Sequence, residues 1–137
     1  MQSVFGFHDR SKFSIVGFSL RKNDGSEWRR KIESGCDEFY EIPDGMGTVE
    51  LANFVNSKNI HILFNLNGWT SGHRSDIFVL KPAPIQISYM GFCGSMAADY
   101  IDYIVTDEIV SPPEAMKRFY SEKAIHMPHS YFVTDYL

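Results

Sequence analysis

Asn65-Leu66-Asn67-Gly68-Trp69-Thr70-Ser71-Gly72 follows directly on Ile60-His61-Ile62-Leu63-Phe64. An apolar, β-branched segment thus runs into eight residues that hold two amides, two glycines and two hydroxyls around one tryptophan. A short apolar run closed by turn residues reads as a buried strand over 60–66. In an open α/β sheet, ligands bind beyond the carboxyl ends of the strands, which is where these polar residues fall. Glycines at 68 and 72 allow close approach of the backbone to a ligand. Asn67 and Thr70 supply donors and acceptors, and Trp69 a flat apolar wall with one N–H. A turn that satisfies its own backbone through Asx and hydroxyl bonds uses the same residues. Residue types alone leave both readings open.

Working outward, the pattern alternates between strands and helices. Residues 1–8 read as the end of a helix, with Asp9-Arg10-Ser11 as a turn. Residues 13–20 alternate as a strand, and Asn23-Asp24-Gly25 is a turn signal. Ser26 is placed to cap a helix through Ser34. Residues 38–42 form a short strand closed by Pro43-Asp44-Gly45. Thr48 is placed to cap a helix to about Lys58, with an apolar stripe from Val49, Leu51, Ala52, Phe54 and Val55. Ser75-Asp76 starts a short helix through Leu80. Strands are predicted over 84–90, 103–106 and 123–127. Between the last two, Ser111-Pro112-Pro113-Glu114 predicts a capping box with proline at the first helical position. The order α-β-α-β-α-β-α-β-β-α-β predicts right-handed crossovers and a Rossmann-like, mostly parallel sheet with helices on both faces. No linker, repeat or low-complexity segment interrupts it, so one domain or part of one is expected.

Composition narrows the class. At 137 residues, with 44% apolar and 22% charged residues, the chain has the make-up of a globular domain. A chain of that size buries about 68% of its unfolded surface, so it needs no covalent staples. The net charge of −4 carries no nucleic-acid footprint, and the one basic cluster, Arg29-Arg30-Lys31, reads as a solvated helix face. No apolar run approaches the roughly 20 residues of a membrane span, and no signal sequence opens the chain. Cys36 and Cys93 lack ligand spacing and read as reduced thiols, which points to cytoplasm or nucleus.

Other motifs are weaker. Gly45-Met46-Gly47 sits between a strand and a helix, but position 50 is Glu rather than the next glycine of a dinucleotide fingerprint, so a tight turn is the plainer reading. Gly91-Phe92-Cys93-Gly94-Ser95 is a second loop after a strand. Two such loops after neighbouring strands would meet at one edge of the sheet and form a crevice. Cys93 alone reads as a small buried hydrophobe. Among the histidines, His61 is expected inside the strand as a hydrogen-bonded core residue, and His73 is the one best placed to touch a ligand. His126 and His129 flank Met127-Pro128. Asp102, Asp107 and Glu108 sit around another strand, without metal-site spacing. No GxSxG elbow is present.

Several short segments, in order, carry a family resemblance. They are Ile60-His61-Ile62-Leu63, Asn65-x-Asn67-Gly68-aromatic-Thr70, Pro82-Ala83-Pro84-Ile85-Gln86, Met90-Gly91-Phe92-x-Gly94, Asp102-Tyr103-x-x-Thr106-Asp107, Ser121-Glu122-Lys123 and Met127-Pro128-His129. Together they resemble the catalytic region of the protein O-GlcNAc transferases. The related protein O-fucosyltransferases share the Pro-Ala-Pro portion and look less similar over 65–72. The resemblance implies that residues 1–137 are a partial N-terminal catalytic lobe of a two-lobed GT-B glycosyltransferase. It implies transfer of N-acetylglucosamine from UDP-GlcNAc, the donor substrate, to Ser or Thr hydroxyls of nuclear and cytoplasmic proteins, with no cofactor and no metal. It further implies tetratricopeptide repeats before this segment and a UDP-gripping C-terminal lobe after it, so that the segment alone is inactive and carries no catalytic residue.

By the same resemblance, Trp69, Thr70 and Gly72 line the acceptor-peptide groove, and Met90 and Gly91 border the donor-sugar pocket, with Phe92 and Gly94 shaping the loop. Trp69 stands where tyrosine is more common, and Cys93 where proline is usual. Two alternatives come from elsewhere: a non-catalytic module that binds Ser/Thr-containing peptides, and a dinucleotide-binding domain.

Overall fold

The computed structural model describes residues 1–135 of the 137, and the elements follow one another in the order the sequence predicts. The strands are β1 (Val16–Ser19), β2 (Glu38–Glu41), β3 (Ile62–Asn65), β4 (Ile85–Ser88), β5 (Tyr103–Thr106) and β6 (Lys123–His126). The helices are α1 (Glu27–Ser34), α2 (Thr48–Ser57) and α3 (Pro113–Phe119), with 3-10 turns at Val4–Phe7 and Ser75–Leu80. Each strand pairing is parallel, which fixes the α/β class. A single sheet was expected, but the strands form two: β1-β2, and a four-stranded sheet in the order β3-β4-β5-β6. Correspondingly the chain divides into two compact units, one holding Met1–Met46 with residues 133–135, the other Gly47–Phe132.

In the first unit, α1 begins where the sequence places it. The Ser26 side chain accepts the Arg29 backbone N–H at 3.1 Å, satisfying one of the orphan donors of the first turn. Arg29 departs from the solvated face expected of the basic cluster. Its guanidinium pairs with Glu33 at 2.6 Å and Glu41 at 3.1 Å and lies over the Phe39 ring, so it ties α1 to β2. Near the N-terminus, Asp135 accepts both the backbone N–H and the hydroxyl of Ser3.

In the second unit, α2 buries Leu51, Ala52 and Val55. Thr48 was expected to cap it, but Gly47 occupies the cap without a side-chain bond. The Thr48 hydroxyl instead donates to Asp76 at 2.6 Å, fastening the helix to the 3-10 turn beside it. The capping box at α3 is likewise not made: Pro112 is the cap, again without a side-chain bond. Ser111 turns inward, where its buried hydroxyl accepts from Thr106 at 2.9 Å and donates to Tyr120 at 3.2 Å. A second partner for the serine, across the end of β5, outcompetes the local cap.

β3 is shorter than 60–66 and buries only one face. Leu63 and Asn65 are covered, whereas Ile62 and Phe64 are 43% and 45% exposed. β3 is the edge strand of its sheet, and the two-residue period sends Ile62 and Phe64 to the same side as Ile85. Ile85 is also exposed. On the other side Leu63, Gln86 and Ile104 are buried. His61 precedes the strand and is exposed, so it is not the core histidine expected.

Candidate functional site

Asn65, the last residue of β3, builds the loop that follows it. Its buried side-chain oxygen accepts the N–H groups of Asn67 at 3.1 Å and Gly68 at 2.9 Å, while its amide donates to the Ser75 hydroxyl at 3.2 Å. Ser75 in turn donates to the Gly68 carbonyl at 2.7 Å. The Thr70 hydroxyl donates to the Asn67 carbonyl at 2.7 Å. Asn65 and Thr70 thus both bond the loop's own backbone. Trp69 has no such role: it is 45% exposed and meets the His73 ring edge-on at 5.3 Å. His73 accepts the Ser75 N–H through Nδ1 at 3.2 Å, which puts the proton of the neutral ring on Nε2.

The loop after β4 begins with a tight reversal. The Tyr89 N–H donates to the Asn65 carbonyl at 3.0 Å, and the Gly91 N–H to the Tyr89 carbonyl at 3.1 Å. Met90 lies between them with φ 68°, a left-handed conformation that a side chain adopts at a cost and that clusters at ligand sites.

The two loops touch. A Cβ on Gly91 would stand 2.1 Å from the Leu66 carbonyl oxygen and 2.9 Å from the Asn67 Cα. A Cβ on Gly68 (φ 54°) would stand 2.2 Å from the Phe92 Cβ. Each loop thus offers a glycine where the other needs room, at the carboxyl ends of two strands paired in parallel with Asn65 opposite Ser88. Trp69 follows Gly68 directly, so Trp69 and Gly91 belong to one locality, where the two loops meet. Thr70, Gly72, Gly91 and Cys93 are exposed around it, and Met90, Phe92 and Gly94 are half-buried. Cys93 is exposed where a buried hydrophobe was expected.

The other candidates have their own partners. Asp102 sits before β5, at the amino end of the strand, bonded to Lys81 at 2.9 Å and to the Gln86 N–H at 2.8 Å. Desolvation pushes its carboxyl up, but these two hydrogen bonds together with the Lys81 and Lys123 charges outweigh it and hold the acid below its usual range. Asp107 follows β5 and accepts the N–H groups of Tyr131, Val110 and Ile109 at 3.0, 2.8 and 3.0 Å, which likewise holds its carboxyl low. His126 places Nε2 3.1 Å from the Ser111 carbonyl, and His129 is exposed. The Gly45-Met46-Gly47 segment makes a turn, with the Met46 N–H donating to the Pro43 carbonyl, and nothing stands within 4 Å of either glycine's missing Cβ. Among the described residues, no three His, Cys, Asp or Glu side chains gather as a metal site.

Sequence reasoning missed Ser75 and Glu122. Both are buried polar residues whose work is to hold a loop at a strand end. Their spacing in the sequence carries no sign of that, since the partners lie 7 residues away for Ser75 and 27 for Glu122.

Comparison with known proteins adds the affiliation. Residues 1–137 match Glycosyl transferase family 41 over the whole chain. A probable UDP-N-acetylglucosamine–peptide N-acetylglucosaminyltransferase, SEC of Arabidopsis thaliana, is 48% identical over 136 residues, 99% of this chain. The UDP-N-acetylglucosamine–peptide N-acetylglucosaminyltransferase of Caenorhabditis elegans is 38% identical over 136 residues. The chain spans only 14% and 12% of the length of these two relatives. A mutant O-GlcNAc transferase of Thermobaculum terrenum superposes on 95% of the chain with a TM-score of 0.87, at 22% identity and over 24% of its own length. That likeness establishes the fold, an α/β architecture of the GT-B type. With the fold, the paired strand-end loops and a match running from the first residue to the last, the chain belongs to glycosyl transferase family 41.

Proposed function

We propose that this chain is part of an enzyme that transfers N-acetylglucosamine from UDP-GlcNAc to Ser or Thr hydroxyls of proteins, and that it is inactive alone. The observation that carries this reading is the contact between the two strand-end loops, Gly91 against 66–67 and Phe92 over Gly68. It leaves an exposed aromatic face on one loop and a strained, backbone-exposing turn on the other. The names of the similar relatives support the donor and the acceptor class.

On the acceptor side, the Trp69 face packs against peptide, and Gly72 leaves the chain room to pass. The Thr70 hydroxyl spends its proton on Asn67 and keeps lone pairs for a peptide N–H. On the donor side, the apolar Met90 borders the acetamido methyl, and Gly91 lets the backbone come close to the sugar. Phe92 and Gly94 shape the loop. In the reaction the acceptor oxygen forms a bond to the anomeric carbon as the bond from that carbon to the UDP oxygen breaks, with inversion. The hydroxyl proton passes to a base, and the diphosphate leaves with the negative charge, which must be stabilised electrostatically. Base and anion-stabilising groups come from polypeptide outside these residues: a C-terminal lobe that grips UDP, with tetratricopeptide repeats selecting substrates. The enzyme works in nucleus and cytoplasm, without cofactor or metal.

The test is transfer of radiolabelled GlcNAc to a Ser/Thr peptide by the longest gene product that contains this segment. Incorporation is expected there and not with the 137-residue chain. Transfer by the isolated chain overturns the inactivity, and a long product that transfers no sugar overturns the assignment.

A further inference from the structure

The segment joining β4 to β5 contains two non-glycine residues in the left-handed region, Met90 at φ 68° and Ala97 at φ 52°. Each is a sterically unfavourable conformation that persists only where neighbouring structure over-determines it. Between them runs the loop assigned above to the donor sugar. At the Met90 end the hold is β4 itself, with the Tyr89 N–H on Asn65. The hold at the other end is a side-chain cluster that the proposed chemistry does not use.

That cluster is Ser121 and Glu122, immediately before β6. Glu122 is 5% exposed. It accepts the Met96 N–H at 2.5 Å, the Ser95 hydroxyl at 2.7 Å and the Ser121 hydroxyl at 3.2 Å. Ser95 accepts the Ala97 N–H at 2.9 Å, and Ser121 the Ala98 N–H at 3.1 Å. Three consecutive backbone donors, at 96, 97 and 98, are therefore satisfied by side chains gathered around one buried carboxylate. No cation pairs with Glu122 among the described residues, so its oxygens are met by N–H and O–H donors alone. Tyr120, next in the chain, points its hydroxyl at the Cys93 carbonyl at 3.5 Å.

A buried carboxylate without a counter-ion is expensive unless every lone pair is engaged. It is a costly way to secure an ordinary crossover and a direct way to fix one geometry. We propose that Glu122 is a positioning residue: through Ser95 and Met96 it fixes the loop 90–94 in the conformation that receives the donor sugar. The inference rests on the donor-side reading given above. Glutamine at 122 keeps one acceptor for the Met96 N–H and turns an NH2 donor towards the two serine oxygens, whereas alanine removes all three bonds.

Two measurements test it and separate its failure from that of the functional reading. The first is amide hydrogen exchange on the 137-residue chain. Glu122→Ala is expected to lose protection at 96–98 while β3 and β4 keep theirs, with Glu122→Gln intermediate. Unchanged protection at 96–98, or loss spread evenly through the sheet, overturns the clamp. The second is transfer kinetics in the longer, active product. Glu122→Ala is expected to lower kcat/KM for UDP-GlcNAc by about 100-fold, the scale of a misplacement near 1 Å, with the peptide KM unchanged and Glu122→Gln restoring most of the loss. Equal effects on both substrates, or no rescue by glutamine, overturn the positioning role. If the clamp is confirmed by exchange and donor kinetics do not change, the donor-loop assignment fails instead.

Discussion

Replacing Gly91 with alanine tests the loop contact at its tightest point. The added methyl would lie 2.1 Å from the Leu66 carbonyl oxygen and 2.9 Å from the Asn67 Cα. Ordinary contact between such atoms needs roughly 3.5 Å, so the backbones must separate by about 1.4 Å. Neither obstacle can rotate away, because both are main chain, and the 66–67 segment is pinned through Asn65 and Ser75. Gly91 is not among the glycines with positive φ, so the effect is steric and not a matter of backbone preference. Overpacking costs typically about 1–3 kcal/mol, and rigid neighbours put this site near the top, about 3 kcal/mol. With a urea m-value of about 1–3 kcal/mol/M, the midpoint falls by roughly 1–3 M. The control is Gly94→Ala, whose methyl would meet only the edge of the Phe92 ring at 3.2 Å. That ring can turn, so the cost is expected below about 1 kcal/mol. Urea unfolding followed by circular dichroism reads both variants. If Gly91→Ala is no less stable than Gly94→Ala, the two loops do not meet as described.

Other consequences follow from the same geometry. Ser75→Ala removes a buried hydroxyl that serves both Asn65 and Gly68 and is expected to cost about 1–3 kcal/mol in the same unfolding assay. Trp69→Ala is expected to leave stability within about 1 kcal/mol, since the ring is half in solvent, while raising the peptide KM of the longer, active product; an unchanged KM removes Trp69 from the acceptor side. Asp107 has a folded pKa below the unfolded value of about 3.9, because three backbone N–H groups favour its charged form. Its contribution is therefore fully present above the unfolded pKa and is lost as pH falls below about 4 through the folded value. Asp107→Asn is expected to flatten the acid limb of the stability profile, and an unchanged limb contradicts that assignment.

The element order was legible because alternating apolar periods and turn residues are local signals. Ser26 was legible too, since no distant partner competes for it. Thr48 and Ser111 were misread for the converse reason: each hydroxyl found a partner elsewhere, on Asp76 and on Thr106 and Tyr120. Ile62 and Phe64 read as buried because composition reports how apolar a strand is and not which of its faces is covered. The division into two sheets left no mark, since strand pairing is a long-range property. For the site, the sequence showed that two polar loops follow two strands. That each offers a glycine to the other, and that Glu122 anchors the second from 27 residues away, emerges only when the chain is folded.

Proton–proton nuclear Overhauser effects across the two loops test the central claim most directly. Close contacts are expected between the Gly91 and Asn67 α-protons, and between the Gly68 α-protons and the Phe92 side chain, together with those pairing β3 and β4. Intact β3–β4 pairing with no cross-peaks from 91–92 to 66–68 would leave the paired-loop site without a physical basis.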